Sequence, residues 1–165
     1  RVNDRRFLLM VGVGFDSLAV AALDAGLKRR IGPLAYLVTA FRCARQLGGL
    51  GVRVTVDGQR HEAASVIVTL ARYYGGPFTI APEADLSRPG LHVVLMKRAG
   101  VWAEIRYGLA LVAGRLAKLE DVEVIPAREV VIDGDNSLPV QADGDHVGHL
   151  PVTITAEERP IRLAV

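Results

Sequence analysis

An apolar run over 138–142, Leu-Pro-Val-Gln-Ala, ends in Asp143-Gly144-Asp145, and a second run begins near Val152. Asp-Gly between two such segments is a strong hairpin signal, because a tight turn needs positive φ and these residues tolerate it. The same signal stands earlier in the chain. Val52, Val54 and Val56 alternate with Arg53, Thr55 and Asp57, and Asp57-Gly58 turns the chain towards a more fully apolar strand over 63–70. The two carboxylates of the later turn, Asp143 and Asp145, are held close together on rigid strands. That placement suits either a purely structural turn or an acid/base pair at the mouth of a site.

Elsewhere the period is mixed. A compact apolar run over 7–13 reads as a buried strand, closed by Gly12 and Gly14. Gly12-Val-Gly-Phe-Asp16 opens a helix with Asp16 or Ser17 as N-cap, ending near Lys28 with Arg29 and Arg30 at its favourable C-terminal side. Pro33 starts a second helix whose apolar stripe is Leu34, Leu37, Val38 and Phe41. Ile105, Leu109, Val112 and Leu116, with Leu111 broadening the stripe, predict a third helix over 103–116. Residues 72–77 are expected as a loop, followed by a short run over 78–81. Further strands are expected over 91–97, 122–125, 128–133, 138–142, 152–155 and 161–165. Helices are few and strands many, short and joined by turns. The expected class is mainly β (α+β): an antiparallel β-sandwich with two to three peripheral helices, as a single domain over 1–165.

Composition narrows the chemistry. Half of the 165 residues are hydrophobic, enough for a sizeable core, and a formal charge of +2 without a long basic run gives little support to nucleic-acid binding. Cys43 stands alone, so neither a disulfide framework nor a multi-cysteine zinc site is built within the chain, and a buried inert thiol in a reducing compartment is expected. No apolar run reaches the roughly 18 residues of a membrane span. The segment from Arg1 lacks the pattern of a cleaved signal peptide, and it is expected to be the middle of a longer chain. Gly12-Val-Gly-Phe-Asp16 resembles the start of a dinucleotide fingerprint but lacks its third glycine, and no P-loop is present. Asp143, Asp145, His146 and His149 do not make a defensible zinc set, and Asp133-Gly-Asp-Asn-Ser137 lacks the later ligands of a calcium loop.

The serial order of motifs carries more than any one of them. Gly12-Val-Gly-Phe-Asp16 leads to Arg30-Ile-Gly-Pro-Leu-Ala-Tyr-Leu37, then the Val-x-Val-x-Val-Asp-Gly58 hairpin. Ala71-Arg-Tyr-Tyr-Gly-Gly-Pro-Phe-Thr-Ile-Ala-Pro82 and Leu138-Pro-Val-Gln-Ala-Asp-Gly-Asp145 complete the series. Over nearly its whole length the chain resembles the C-terminal domain of the bacterial diacylglycerol-kinase-like lipid kinases, relatives of sphingosine and ceramide kinases.

That resemblance implies the lipid-side half of an ATP-dependent kinase whose nucleotide-binding half carries a Gly-Gly-Asp-Gly-Thr motif absent here. It implies that Asp145 stands where the family has the Glu that takes the proton from the attacking lipid hydroxyl, with Asp143 at the family's preceding Asp. Asp145 is one methylene shorter than that Glu. The implied lipid pocket is lined by Gly12, Gly14, Phe15 and Asp16 on one side and by Tyr74, Gly75 and Gly76 on the other. Some members hold a structural magnesium in the loop matching 84–91. Here Arg88 stands at the expected Asp, so no metal site is expected in this chain, and ATP with its Mg2+ would be bound mainly by the other domain. The implied partners are a lipid substrate, that N-terminal domain and, transiently, a membrane surface met by Lys28, Arg29, Arg30, Arg42 and Arg45. A homodimer is compatible with this, and the location is cytoplasmic and peripheral to the membrane. The rival expectation is a lipid-binding or regulatory module of the same fold without phosphotransfer.

Overall fold

The β-branched and aliphatic runs of the sequence pair into two antiparallel sheets in the computed structural model, which describes residues 1–15, 17 and 51–157. The helices expected after Gly14 and Pro33, Cys43, the cationic residues from Lys28 to Arg45, and the strand expected at 161–165 lie outside the described residues.

The larger sheet has six strands. It holds β1 (Met10–Val13), β4 (Ser65–Thr69), β7 (Leu91–Met96), β8 (Val122–Ala127), β10 (Pro139–Ala142) and β11 (Asp145–His149), in the order β11-β10-β1-β4-β7-β8. The smaller sheet has four strands: β2 (Val52–Val56), β3 (Gln59–Ala63), β9 (Glu129–Asp133) and β12 (Val152–Thr155), in the order β12-β9-β2-β3. A two-stranded ribbon, β5 (Tyr73–Tyr74) with β6 (Phe78–Thr79), stands apart. One helix, α1 (Val101–Val112), and a 3-10 turn at Leu116–Lys118 complete the described elements.

Period-2 alternation turns one side of each strand inward, and the inner sides meet in a dry layer. Val11, Val13, Val54, Val66, Val68, Val93, Leu95, Val130, Ile132, Val140 and Ile154 fill it, all fully buried. The opposite face of the larger sheet is also apolar. Met10, Ile67, Val94, Met96 and Val122 lie there beneath α1, whose Tyr107 is buried against them, and Ile80 and Ala81 close the same cluster. A sandwich with a helix on one outer face is therefore the architecture, as expected.

Several boundaries differ, for a common reason: the chain changes sheets at corners of one or two residues. Ala64 joins β3 to β4, Arg128 joins β8 to β9, and Leu150-Pro151 joins β11 to β12. The partner of β2 across Asp57-Gly58 is thus the polar strand Gln59–Ala63, and the apolar run that follows belongs to the other sheet. Likewise the strand after Asp143-Gly144 is Asp145–His149, and Val152–Thr155 pairs with β9 in the smaller sheet. The first strand begins at Met10, with Leu8 and Leu9 exposed before it, and residues 72–77 include the short strand Tyr73–Tyr74.

The helix also departs from expectation. It spans 101–112, and Leu116 is buried in the separate 3-10 turn. Its inward side is Ala103, Tyr107, Ala110 and Leu111, whereas Ile105, Leu109 and Val112 face solvent. The helix carries two apolar faces, and helical spacing alone does not say which one meets the sheet.

Candidate functional site

The turn at 143–145 is fixed by backbone chemistry on both sides. Asp143 sits at φ +53 and Gly144 at φ +90, the left-handed pair that a two-residue hairpin requires. The Gly144 N–H donates to the Gln141 side-chain oxygen at 2.9 Å, and the Asp143 N–H donates to the Met10 carbonyl at 2.9 Å. The Asp143 carboxylate then accepts three backbone N–H groups, from Leu8 at 2.6 Å, Leu9 at 2.8 Å and Met10 at 3.0 Å. Both its oxygens are occupied in holding the entry to β1. Asp145, two residues on, is different. Its side chain is 73% exposed, and its recorded partner is the Arg5 guanidinium at 3.3 Å.

The surroundings of the turn are apolar and open. Leu8 and Leu9 are exposed beside the Asp143 carboxylate. The Leu9 carbonyl accepts from the Leu70 N–H at 2.9 Å and from the Thr69 hydroxyl at 3.2 Å, so the segment after β4 is stitched directly to this end of β1. From there the chain enters the Tyr73–Tyr74 ribbon, with Tyr73 exposed and Tyr74 half-buried on the outer apolar cluster. Gly75 and Gly76, at φ +58 and +130, make its turn. Asp143, Asp145, Leu8, Leu9 and the 73–76 ribbon therefore share one end of the larger sheet.

Gly14 and Phe15 are at the other end. They follow Val13, four residues beyond Met10, about 13 Å along the strand. Gly14 has φ +98, and a Cβ there would stand 2.8 Å from the Ala64 carbonyl oxygen and 2.8 Å from Ser65 Oγ. Only glycine fits such an approach. The Gly14 N–H donates to Ser17 Oγ at 3.0 Å, and the Phe15 N–H donates to Ser65 Oγ at 3.1 Å, with both serines buried. Gly12 is mid-strand, paired with Ile67 and Gln141. Asp16 lies outside the described residues. The structure thus places Asp143 and Asp145 at the same end of the larger sheet as Tyr74, Gly75 and Gly76, and sets Gly14 and Phe15 apart from them along β1.

Two further polar groups frame what the site can do. A charged cleft of about 510 Å³ opens at the same end as the turn, lined by Arg72, Glu83, Asp85, Arg88 and His92. His92 is level with Thr69 and thus with Met10, so the cleft lies about three strand spacings, roughly 14 Å, across the sheet from Asp143. In it the Asp85 carboxylate accepts from the Ser87 N–H at 2.9 Å and the Ser87 hydroxyl at 2.7 Å, and Arg88 stands 3.7 Å from it. These hydrogen bonds hold the Asp85 carboxyl below its ordinary range. Of the two carboxylates that line the cleft, Glu83 and Asp85, the second is thus already bonded to a serine and stands beside a guanidinium.

The other group is buried under α1. Asp121 receives Arg106 in a two-pronged pair, both contacts at 2.7 Å, and the Tyr107 hydroxyl at 2.8 Å. Chiefly through the Arg106 contact, the Asp121 carboxyl is held down at about 2, while burial pushes the Tyr107 hydroxyl up to about 12. This is the most perturbed pair of groups among the described residues, and it clamps helix to sheet rather than facing the turn.

Leu8, Leu9, Arg5 and the Asp121 clamp were not anticipated in the sequence. The Leu8-Leu9 pair offered no clear signal, because the run over 7–13 is apolar throughout and does not mark which of its members are covered. The clamp offered none, because Arg106 and Asp121 belong to different elements.

With this geometry in view, comparison with known proteins is informative. A family model described as the YegS C-terminal NAD kinase beta sandwich-like domain matches residues 9–165. A diacylglycerol kinase of Staphylococcus carnosus is 25% identical over 155 residues, covering 92% of this chain and 50% of that protein. A diacylglycerol kinase of Bacillus subtilis is 24% identical over 153 residues, covering 92% of this chain and 50% of its own length. A crystal structure of a diacylglycerol kinase from Bacillus anthracis superposes with a TM-score of 0.64 at 24% identity, over 94% of this chain and 51% of that one. The chain spans about half the length of the curated relatives it matches.

Proposed function

Because the chain belongs to the family of YegS C-terminal NAD kinase beta sandwich-like domains, we propose that it is the lipid-side domain of an ATP-dependent lipid kinase. The acceptor is a lipid hydroxyl, of the diacylglycerol class that the relatives' names point to. The observation that carries the reading is the division of labour at 143–145. Asp143 is saturated by three backbone donors, and Asp145 presents an exposed carboxylate from the same rigid turn beside Leu8 and Leu9.

Asp145 then accepts the proton of the lipid hydroxyl as its oxygen bonds to the γ-phosphorus of ATP, while the bond from that phosphorus to the bridging oxygen breaks and ADP leaves. Asp143 positions the turn. Leu8, Leu9 and Tyr73 meet the acyl chains, and Tyr74, Gly75 and Gly76 shape the side of the groove. ATP and its Mg2+ come with a nucleotide-binding domain outside this chain, a reading supported by the chain's spanning about half the length of the diacylglycerol kinases it matches. The reaction needs that partner domain, and this chain by itself transfers no phosphate. The substrate's location makes the protein peripheral to a membrane, on the side where ATP is supplied.

A second reading, a lipid-binding module without phosphotransfer, is favoured by one observation: the Arg5 guanidinium engages Asp145, and the residue is one methylene shorter than the family's Glu. Transfer of radiolabelled γ-phosphate to a mixed lipid extract by the intact protein separates the two. The expected result is a labelled lipid, lost at least 100-fold in Asp145→Asn and retained in Arg5→Gln. A folded, ATP-binding protein that labels no lipid establishes the binding module instead.

A further inference from the structure

Helix α1 presents a continuous apolar stripe away from the sheet. Trp102 is 83% exposed, Ile105 44%, Leu109 68% and Val112 67%, at spacings of three, four and three. These positions fall on one side of a helix, opposite the Tyr107 side that is buried on the sheet. A single exposed aliphatic needs no explanation, but four on consecutive turns, led by a tryptophan, mark a contact surface.

The charges around the stripe are cationic on the side that faces outward. Lys97 and Arg98 precede the helix, Arg106 flanks the stripe, and Arg115 and Lys118 follow, all of them exposed to solvent. Of the acidic residues nearby, Asp121 is buried beneath Arg106, and Glu104 is half-buried with its carboxylate towards Ser65 Oγ at 3.4 Å. Glu120 is exposed, and Glu123 is partly exposed with its carboxylate 3.0 Å from Lys97 Nζ. A helix with an indole and aliphatics on one face, bordered by lysine and arginine, has the composition that lies in the plane of a bilayer interface. Basic groups there meet anionic headgroups, and the indole sits at the boundary between headgroup and acyl chain.

We propose that the outer stripe of α1 is a membrane-docking surface. Trp102, Leu109 and Val112 enter the interface of an anionic bilayer while Arg98, Arg106, Arg115 and Lys118 meet its headgroups. The surface lies apart from the 143–145 turn, and attachment through it requires no phosphotransfer, so it extends to vesicles that contain no acceptor lipid and no ATP.

The test is co-sedimentation of the intact protein with vesicles of phosphatidylcholine mixed with phosphatidylglycerol, beside vesicles of phosphatidylcholine alone. Trp102 emission is followed by difference against Trp102→Phe. The expected result is preference for the anionic vesicles that fades with salt, a blue-shifted Trp102 signal, and quenching of it by lipids brominated on the acyl chain. Leu109→Ser with Val112→Ser, both at exposed positions, weakens partition by roughly tenfold or more. Partition unchanged in that double variant overturns the proposal, as does a Trp102 signal that stays unquenched while the protein sediments through another surface. A dimer in solution that the same double variant dissociates, with no vesicle binding, shows that a second copy covers the stripe and also overturns it.

Discussion

Asn3, Asp57 and Asp143 are the non-glycine residues with positive φ among those described, and each uses its side chain in the same way. Asn3 accepts the Thr153 N–H at 2.9 Å. Asp57 accepts the N–H groups of Arg128 and Glu129, at the corner where the chain leaves one sheet for the other. Asp143 accepts those of Leu8, Leu9 and Met10. Short polar side chains tolerate the left-handed conformation and at the same time satisfy backbone donors of a strand remote in sequence. Hydrogen bonds to an ionised acceptor are stronger than neutral ones, so Asp143→Ala is expected to cost about 2 kcal/mol in urea denaturation. Asp145→Ala, which breaks only an exposed pair with Arg5, is expected to change stability by less than about 0.5 kcal/mol. The two carboxylates of one turn thus differ in what holds them: Asp143 is bound by three backbone donors, and Asp145 is exposed and paired with Arg5.

At the scale of elements, α1 is held by its inward residues and by the Asp121 clamp. Because the Asp121 carboxyl is lowered in the folded chain from its ordinary value of 3.8 to about 2, the clamp contributes in full above pH 3.8 and is lost as pH falls through about 2. In that window the unfolded chain binds the additional proton, so acid lowers stability. The expected outcome is a thermal midpoint that drops between these pH values by more in the parent than in Asp121→Asn, whose carboxamide does not titrate. Arg106 belongs both to this clamp and to the cationic border of the outer stripe, so the element that anchors the helix also helps set the charge it shows outward. The sequence placed this helix to within a few residues and left open which of its faces is covered. Its stripe of Ile105, Leu109 and Val112 has the right period for a core face, yet the sheet takes the side carrying Ala103, Tyr107 and Ala110, whose small residues let the backbone come close and whose hydroxyl reaches Asp121.

For the whole molecule, stability resides in the layer between the sheets. Ile132 is fully buried on β9, paired with Val54 of β2 and Val152 of β12, in the core cluster that both sheets line. Ile132→Ala is expected to cost about 3 kcal/mol, seen as a fall in the denaturant midpoint without a change in slope. Three corners, at Ala64, Arg128 and Leu150-Pro151, pass strands between the sheets, so both sheets lose their order together. Local sequence determined the class of this protein. Alternation marked the strands, Asp57-Gly58 and Asp143-Gly144 marked the turns, and the order of motifs marked the family, because each depends on residues within a few positions of one another. Which strands pair, which face of α1 is covered and which of two neighbouring carboxylates is exposed were decided only in three dimensions. Those outcomes rest on contacts between residues far apart in the chain, such as Leu8 with Asp143, separated by 135 positions. No local pattern encodes the side of a helix that a distant sheet will accept, or the backbone donors that a carboxylate will find.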